Sequence, residues 1–100
     1  MNEKSYTLEE IRKLINGHRE ELENDYNAVK FFVFGSYARG EQTAESDIDI
    51  LVELKAPLGL KFFKLEKFLE NLFSKKVDLG TVAGLKPAIK DGVLKEAVKL

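Results

Sequence analysis

The sequence contains no cysteine and one histidine, His18, and both shortages exclude whole classes of chemistry. Without cysteine the chain can form no disulfide, no zinc–thiolate site and no thiol nucleophile. A single histidine also excludes metal sites that need several imidazole ligands. No apolar run approaches the roughly 20 residues that cross a bilayer, and the polar start from Met1 to Tyr6 lacks a signal-peptide core. We therefore expect a cytoplasmic protein with no membrane contact.

The chain also has little net charge, because 16 basic residues nearly balance 17 acidic ones to give −1. Proteins that bind polynucleotides usually have a basic excess, so direct binding of DNA or RNA is not expected. A local basic strip is still compatible with the sequence, through Lys61, Lys64, Lys67, Lys75 and Lys76.

The residues that are present predict one globular domain spanning residues 1–100, with 44% apolar and 33% charged residues. A capping box of Thr7 and Glu10 begins a first helix, which helical spacing extends from about Leu8 to Asn24. Apolar patterns predict the order α-β-(α)-β-α-β-α. The predicted strands are Ala28–Phe34, Asp47–Leu54 and Lys76–Val82, with a helical turn at Tyr37–Glu41 after the first strand. A helix is predicted over Leu58–Phe73, with Phe63 and Phe68 on its apolar face. The last helix starts at Pro87, and its apolar residues are Ile89, Val93, Leu94, Ala97 and Val98.

Two aspartates, Asp47 and Asp49, interrupt the strong strand pattern of Ile48, Ile50 and Val52. Residues at i and i+2 of a strand project to one face, roughly 6.5–7 Å apart along it. Such a pair can share a magnesium ion, which prefers oxygen ligands and keeps waters and substrate phosphates. Taken alone, the pair is also compatible with a solvated strand face, although aspartate is unfavourable in strands.

A second short motif, Gly35-Ser36, follows one predicted strand and precedes a helical turn. Glycine permits a tight turn and close approach of the backbone to phosphate. The Ser36 hydroxyl and nearby N–H groups can donate to phosphate oxygens. Alone, the motif is equally compatible with an ordinary turn at the end of a strand. Tyr37 and Ser46 are expected to support this loop.

Together, Gly35-Ser36-Tyr37-Ala38-Arg39-Gly40 and Ser46-Asp47-Ile48-Asp49-Ile50, with ten residues (37–46) between Ser36 and Asp47, resemble the signature of the DNA polymerase β-like nucleotidyltransferases. The size and the segment from Ile89 to Leu100 are similar to the minimal subgroup, the MNT or MntA-type antitoxins. The resemblance covers about residues 10–98. It implies an α+β nucleotidyltransferase fold, with a small mixed sheet of three or possibly four strands flanked by helices.

The resemblance also implies roles for individual residues. Gly35 and Ser36 would bind the β- and γ-phosphates of ATP, while Asp47 and Asp49 would bind Mg²⁺. One ion would bridge the triphosphate and a second would activate the acceptor hydroxyl. The family usually has a third carboxylate on a later strand, and Asp78 is the candidate for that ligand and for the base. Arg39 would reach phosphate or form an ion pair.

Similar proteins transfer AMP to a hydroxyl, with a tyrosine of a HEPN-type toxin as the implied acceptor in a hetero-oligomer. The chain would then be the enzyme and antitoxin of a toxin–antitoxin pair, because 100 residues leave no room for an acceptor domain of its own. Two alternatives are open on the sequence. One is an antitoxin that acts by binding alone, and the other is a small-molecule nucleotidyltransferase with a separate acceptor subunit.

Overall fold

A mixed four-stranded sheet organises residues 6–100, the part of the chain that the computed structural model describes. The helices are α1 (Leu8–Asn16), α2 (Arg19–Tyr26), α3 (Ser36–Arg39), α4 (Lys61–Phe73) and α5 (Pro87–Glu96). The strands are β1 (Ala28–Phe34), β2 (Ile48–Leu54), β3 (Val77–Thr81) and β4 (Val98–Lys99), in the sheet order β3-β2-β1-β4. The β1 strand is antiparallel to β2 and β4, whereas β2 and β3 are parallel. This confirms the predicted α+β class, with four strands.

The two faces of the sheet differ, and the alternation of side chains explains why. Phe31 and Val33 of β1, Ile50 of β2, and Val77 and Leu79 of β3 face a buried core. The helices α1, α2 and α4 complete that core with Ile11, Ile15, Leu22, Leu65, Leu69 and Phe73. The residues between the core positions must project to the opposite face, which is where the aspartates lie. Within residues 6–100, no helix is both long enough and apolar enough to cross a membrane.

The predicted single helix from Leu8 to Asn24 is wrong, because the chain turns at Gly17 and His18. The capping box is confirmed: Glu10 N–H donates to the Thr7 hydroxyl at 3.1 Å, and Thr7 N–H donates to Glu10 at 2.9 Å. At the break, His18 N–H bonds to the Ile15 carbonyl at 2.9 Å, three residues back, which tightens the last turn. Helical spacing continues into α2, so the apolar pattern conceals the turn.

The predicted apolar face of α4 is partly wrong. The helix begins at Lys61 rather than near Leu58, and Phe63 is 64% exposed. Leu65, Leu69 and Phe73 recur every four residues and are fully buried. Phe63 precedes Leu65 by two positions, or about 200° around the helix, so it faces solvent. Aromatic composition alone therefore overestimates the buried face.

The last helix begins at Pro87 as predicted but ends at Glu96, so Ala97 and Val98 lie outside it. Val98 instead pairs with Val33 of β1, and the Leu100 N–H bonds to the Phe31 carbonyl at 2.9 Å. The open edge of β1 offers hydrogen-bonding partners that a local helical pattern cannot reveal. No residue of α5 is buried, so the apolar residues predicted for this helix do not face the core.

Candidate active site

The loop after β1 is set by Gly35, whose backbone angles are φ 72° and ψ −147°. This region is essentially reserved for glycine. It turns the chain out of the strand and directly into α3, where the Gly35 carbonyl accepts from the Ala38 and Arg39 N–H groups at 3.1 and 3.2 Å. The first N–H groups of a helical turn have no partner within the helix, so this turn presents donors to an anion.

Gly35 also lies directly against Asp49, and this contact joins the two motifs of the sequence. A Cβ atom added to Gly35 would collide with Asp49 Oδ2 and lie 3.2 Å from Asp49 Cγ. The pairing of β1 with β2 explains the approach, since Phe34 and Asp49 are direct cross-strand partners. The loop and the acidic pair therefore form one site at one end of the sheet.

Asp78 lies in the same part of the sheet. In the parallel pairing of β2 and β3, Asp49 is opposite Asp78, on the face away from the core. Asp47 immediately precedes β2 and is exposed, whereas Asp49 is partly buried. The structure thus brings together Gly35, Ser36, Asp47, Asp49 and Asp78. Their roles as ligands and catalytic groups stay predictions.

Electrostatics couple these groups. The pKa of Asp49 is raised, first by burial and then by the negative charges of Asp78 and Asp47, while Arg39 opposes the shift. Two further acids around a partly buried carboxylate make its ionised form unfavourable. A bound cation would offset this repulsion, as expected of an acidic metal site.

The donor set fits magnesium. Mg²⁺ is commonly held by one or two carboxylates, with waters and substrate phosphates supplying the other ligands. Among residues 6–100, no three histidine or acidic side chains converge as a ready-made metal cage. Asp47 and Asp49 would therefore be the paired ligands, and Asp78 would approach from the neighbouring strand.

Arg39 forms an ion pair in this structure, with its Nε 2.9 Å from Oε1 of Glu41. The hydrogen bond to Glu41 is the main reason that the pKa of Arg39 is raised, and Glu96 and Asp49 add smaller effects. Both partners are more than half exposed, so solvent screens the pair and it contributes little to stability. The guanidinium therefore remains available to an incoming phosphate.

The connection between α3 and β2 is held by contacts that the sequence indicated only in part. Ser46, predicted to support the loop, accepts from the Thr43 N–H at 2.9 Å and donates its own N–H to the Thr43 carbonyl at 3.1 Å. Tyr37, also predicted to support the loop, is buried. Lys75 also donates to the Ala44 carbonyl at 2.6 Å, a contact across 31 residues that no local pattern signals. The ion pair between Glu41 and Arg39 was not predicted, although an opposite charge two residues after Arg39 indicated it.

Replacing Asp49 with asparagine should stabilise the protein at pH 7 in the absence of divalent cations, by less than about 1 kcal/mol after solvent screening. The folded state holds the Asp49 proton more tightly than the unfolded chain. Stability therefore falls as pH rises from the ordinary aspartate range through the raised pKa. Chemical denaturation in EDTA between pH 4 and 7 measures this. Asp25→Asn, at an exposed position on α2, is the control, and an equal response of both variants would contradict the prediction.

The chain is similar to a known family of proteins. Residues 15–100 match the nucleotidyltransferase domain family. Protein adenylyltransferase MntA of Thermococcus cleftensis is 44% identical over 93 residues, which is 92% of this chain and 94% of the relative.

Solved structures share the fold. A chain assigned provisionally as a minimal nucleotidyltransferase has a TM-score of 0.79 at 35% identity, covering 97% of this chain and 99% of that chain. A chain of a toxin–antitoxin crystal structure with AMP-PNP has a TM-score of 0.67 at 25% identity, covering 91% of this chain and 69% of that chain. The match over 86 of 100 residues (15–100) and the shared fold confirm the resemblance drawn from the sequence, and this chain belongs to the nucleotidyltransferase domain family.

Proposed function

We propose that this protein transfers AMP from ATP, in the presence of Mg²⁺, to a tyrosine hydroxyl of a partner HEPN-type toxin, and that it acts as the antitoxin of that pair. The observation that supports this best is the contact of Gly35 with Asp49, with Asp78 beside them on the next strand. A similar protein is named a protein adenylyltransferase, and a similar fold occurs in a toxin–antitoxin complex with an ATP analogue.

In this proposal the loop after β1 binds the triphosphate and the aspartates bind the metal. Gly35 and Ser36 bind the β- and γ-phosphates through N–H groups and the Ser36 hydroxyl. Asp47 and Asp49 would hold the two Mg²⁺ ions, with Asp78 as the candidate third ligand from the neighbouring strand. When bound, magnesium supplies positive charge that stabilises the attacking and leaving oxygens of an in-line displacement. Positioning and electrostatics then account for most of the catalysis, since phosphoryl transfer needs little covalent help from the protein.

The reaction replaces one P–O bond of ATP with a new P–O bond to the acceptor. The tyrosine oxygen attacks the α-phosphorus of ATP and forms a new P–O bond. The bond between the α-phosphorus and the α–β bridging oxygen breaks, and pyrophosphate leaves with the electron pair. Asp78 accepts the proton of the hydroxyl. Its position opposite Asp49, outside the core, favours it over other acids for this role.

Arg39 is proposed to exchange partners during the cycle. In this structure its Nε lies 2.9 Å from Oε1 of Glu41. A triphosphate bound at Ser36 carries more charge than one carboxylate and offers the planar guanidinium several oxygens. Arg39 would then leave Glu41 and contact phosphate.

A mass measurement tests the proposed activity. The protein is incubated with ATP and Mg²⁺ and with the product of the neighbouring gene, purified in a form never exposed to this chain. We expect the partner to gain the mass of one or more AMP groups, and EDTA to prevent the gain. Parallel reactions with GTP, CTP and UTP reveal the base preference. If no nucleotide increases the mass of the partner, the proposal is wrong.

A further inference from the structure

A cavity of about 590 Å³ opens at the carboxyl ends of the parallel strands β2 and β3. Apolar side chains form much of its wall: Leu54, Pro57, Leu58, Phe62, Val82 and Ala83. Cavities of this size and apolar lining are typical of binding sites. None of the residues proposed for catalysis lines it.

Three exposed apolar residues flank the cavity wall in the sequence, and we call them its rim. Leu60 is 84% exposed, Phe63 64% and Ile89 52%, and within residues 6–100 these are the large apolar side chains most open to solvent. Each is adjacent in the chain to a residue of the cavity wall, namely Gly59, Phe62 and Lys90. Single exposed apolar residues are ordinary, whereas several next to the wall of one cavity indicate an interaction surface.

The charged residues of the cavity wall are Lys55, Lys90 and Glu53. Lys55 is already paired with Glu23, with its Nζ 3.3 Å from Oε2. Lys90 is half-buried in the wall and is the lysine that can pair with a ligand. A complementary ligand has apolar side chains and a carboxylate beside Lys90.

The position of the cavity leaves the candidate active site open. Asp49 is the second residue of β2 and Leu54 is the last, so they are five positions apart along the strand. At a rise of about 3.3 Å per residue this is about 17 Å. A segment seated in the cavity would not cover Gly35 or the aspartates. About five extended residues of the same ligand could bridge from the cavity to Asp49.

We propose that the cavity and its rim, which we call the docking face, bind the acceptor protein of the AMP transfer. The bound segment inserts an apolar side chain into the cavity and places a carboxylate beside Lys90. The docking face anchors the acceptor while its reactive hydroxyl reaches the aspartates. This inference rests on the proposed function for the identity of the partner.

The test uses the full chain with two substitutions in the docking face, Phe63→Ser and Lys90→Glu. Both side chains lie outside the core, so folding should be preserved, and circular dichroism verifies this. Lys13→Glu, at an exposed lysine on α1, is the control for charge reversal. Three quantities are measured: the affinity for the purified product of the neighbouring gene, the kcat and KM of AMP transfer to it, and the affinity for AMP-PNP.

We expect the double variant to weaken partner binding and raise the KM for the partner at least about tenfold. Its kcat at saturating partner and its affinity for AMP-PNP should stay at the level of the Lys13→Glu control. Unchanged partner affinity would overturn the proposal. So would a loss of AMP-PNP affinity, which would make the cavity a nucleoside site. Concentration-dependent self-association that disappears in the variant while partner affinity is unchanged would assign the face to a second copy.

The failure of the docking face is distinguishable from the failure of the proposed function. If the wild type binds the partner but transfers no AMP, the enzymatic proposal falls, and the affinity of the double variant still decides the docking face. If transfer occurs equally well with wild type and variant, the docking face is wrong and the activity stands.

Discussion

Replacing Asp47 and Asp49 together with asparagine should lower kcat/KM for AMP transfer at least about a thousandfold, a loss of about 4 kcal/mol of transition-state stabilisation. Asparagine preserves the shape of each side chain but removes the negative charge that would hold magnesium. Asp49 is packed against the Gly35 loop, so the same change also weakens the alignment of the triphosphate with the metal. The measurement is AMP incorporation into the partner at saturating Mg²⁺ and ATP.

A control separates this effect from unfolding. Glu45→Gln removes an exposed carboxylate from the loop preceding β2 without touching the proposed ligands, and should transfer AMP at nearly the wild-type rate. The double variant should also melt no earlier than the wild type, because the repulsion around Asp49 is relieved. Residual activity within tenfold of wild type would contradict the assignment of these aspartates.

The same double variant distinguishes an enzymatic antitoxin from one that acts by contact. In cells that express the toxin, an enzyme without its metal ligands should fail to protect. Full protection by the variant, at equal expression, would favour neutralisation by binding alone. The docking face would then be sufficient for the biological effect.

Replacing Gly35 with alanine should lower kcat/KM at least about a hundredfold and destabilise the fold by about 1–3 kcal/mol. The added methyl group would occupy the position of Asp49 Oδ2, and the backbone angle φ of 72° is unfavourable for alanine. Either the loop or the aspartate must move, and both belong to the proposed site. Steady-state kinetics and thermal unfolding measure the two effects.

Gly40 provides a control without the collision, because nothing lies within 4 Å of a Cβ atom added there. Its φ is also 72°, but its ψ of 22° places it in the left-handed helical region, where alanine is less strained than at Gly35. Gly40→Ala therefore carries a smaller backbone penalty and omits the collision with Asp49. We expect it to lose stability and keep most of its activity. Equal activity losses in the two variants would show that backbone strain, rather than contact with Asp49, explains the result.

The strands were predictable because their signals are local. The apolar run from Ala28 to Phe34 and the alternation from Ile48 to Leu54 form the strands that those patterns predict. The family was also predictable, since its motifs need fixed residue types at fixed spacing and the family match confirms it. The roles of Asp47, Asp49 and Asp78 stay predictions, although the sheet register places Asp49 and Asp78 side by side.

The remaining features depend on distant parts of the chain. The turn at Gly17 and His18 interrupts a helical pattern that is otherwise continuous. Val98 joins the sheet because β1 has a free edge, and helical spacing gives no sign of that edge. The exposure of Phe63 follows from where the core lies relative to α4, which composition does not determine.

The pairing of Asp49 with Asp78 also helps to fix the register of β3 against β2. A slip of β3 by one residue along β2 would turn Asp78 towards the core and expel Val77 and Leu79 from it. An unpaired carboxylate in an apolar interior costs several kcal/mol, so the misaligned sheet is strongly disfavoured. Asp78, the acid proposed for catalysis, therefore also disfavours an incorrect register of β3. If Asp78 is the catalytic base, a single side chain serves both the reaction and the register of the sheet, and Asp78→Val removes the proposed base together with this penalty on the slipped register.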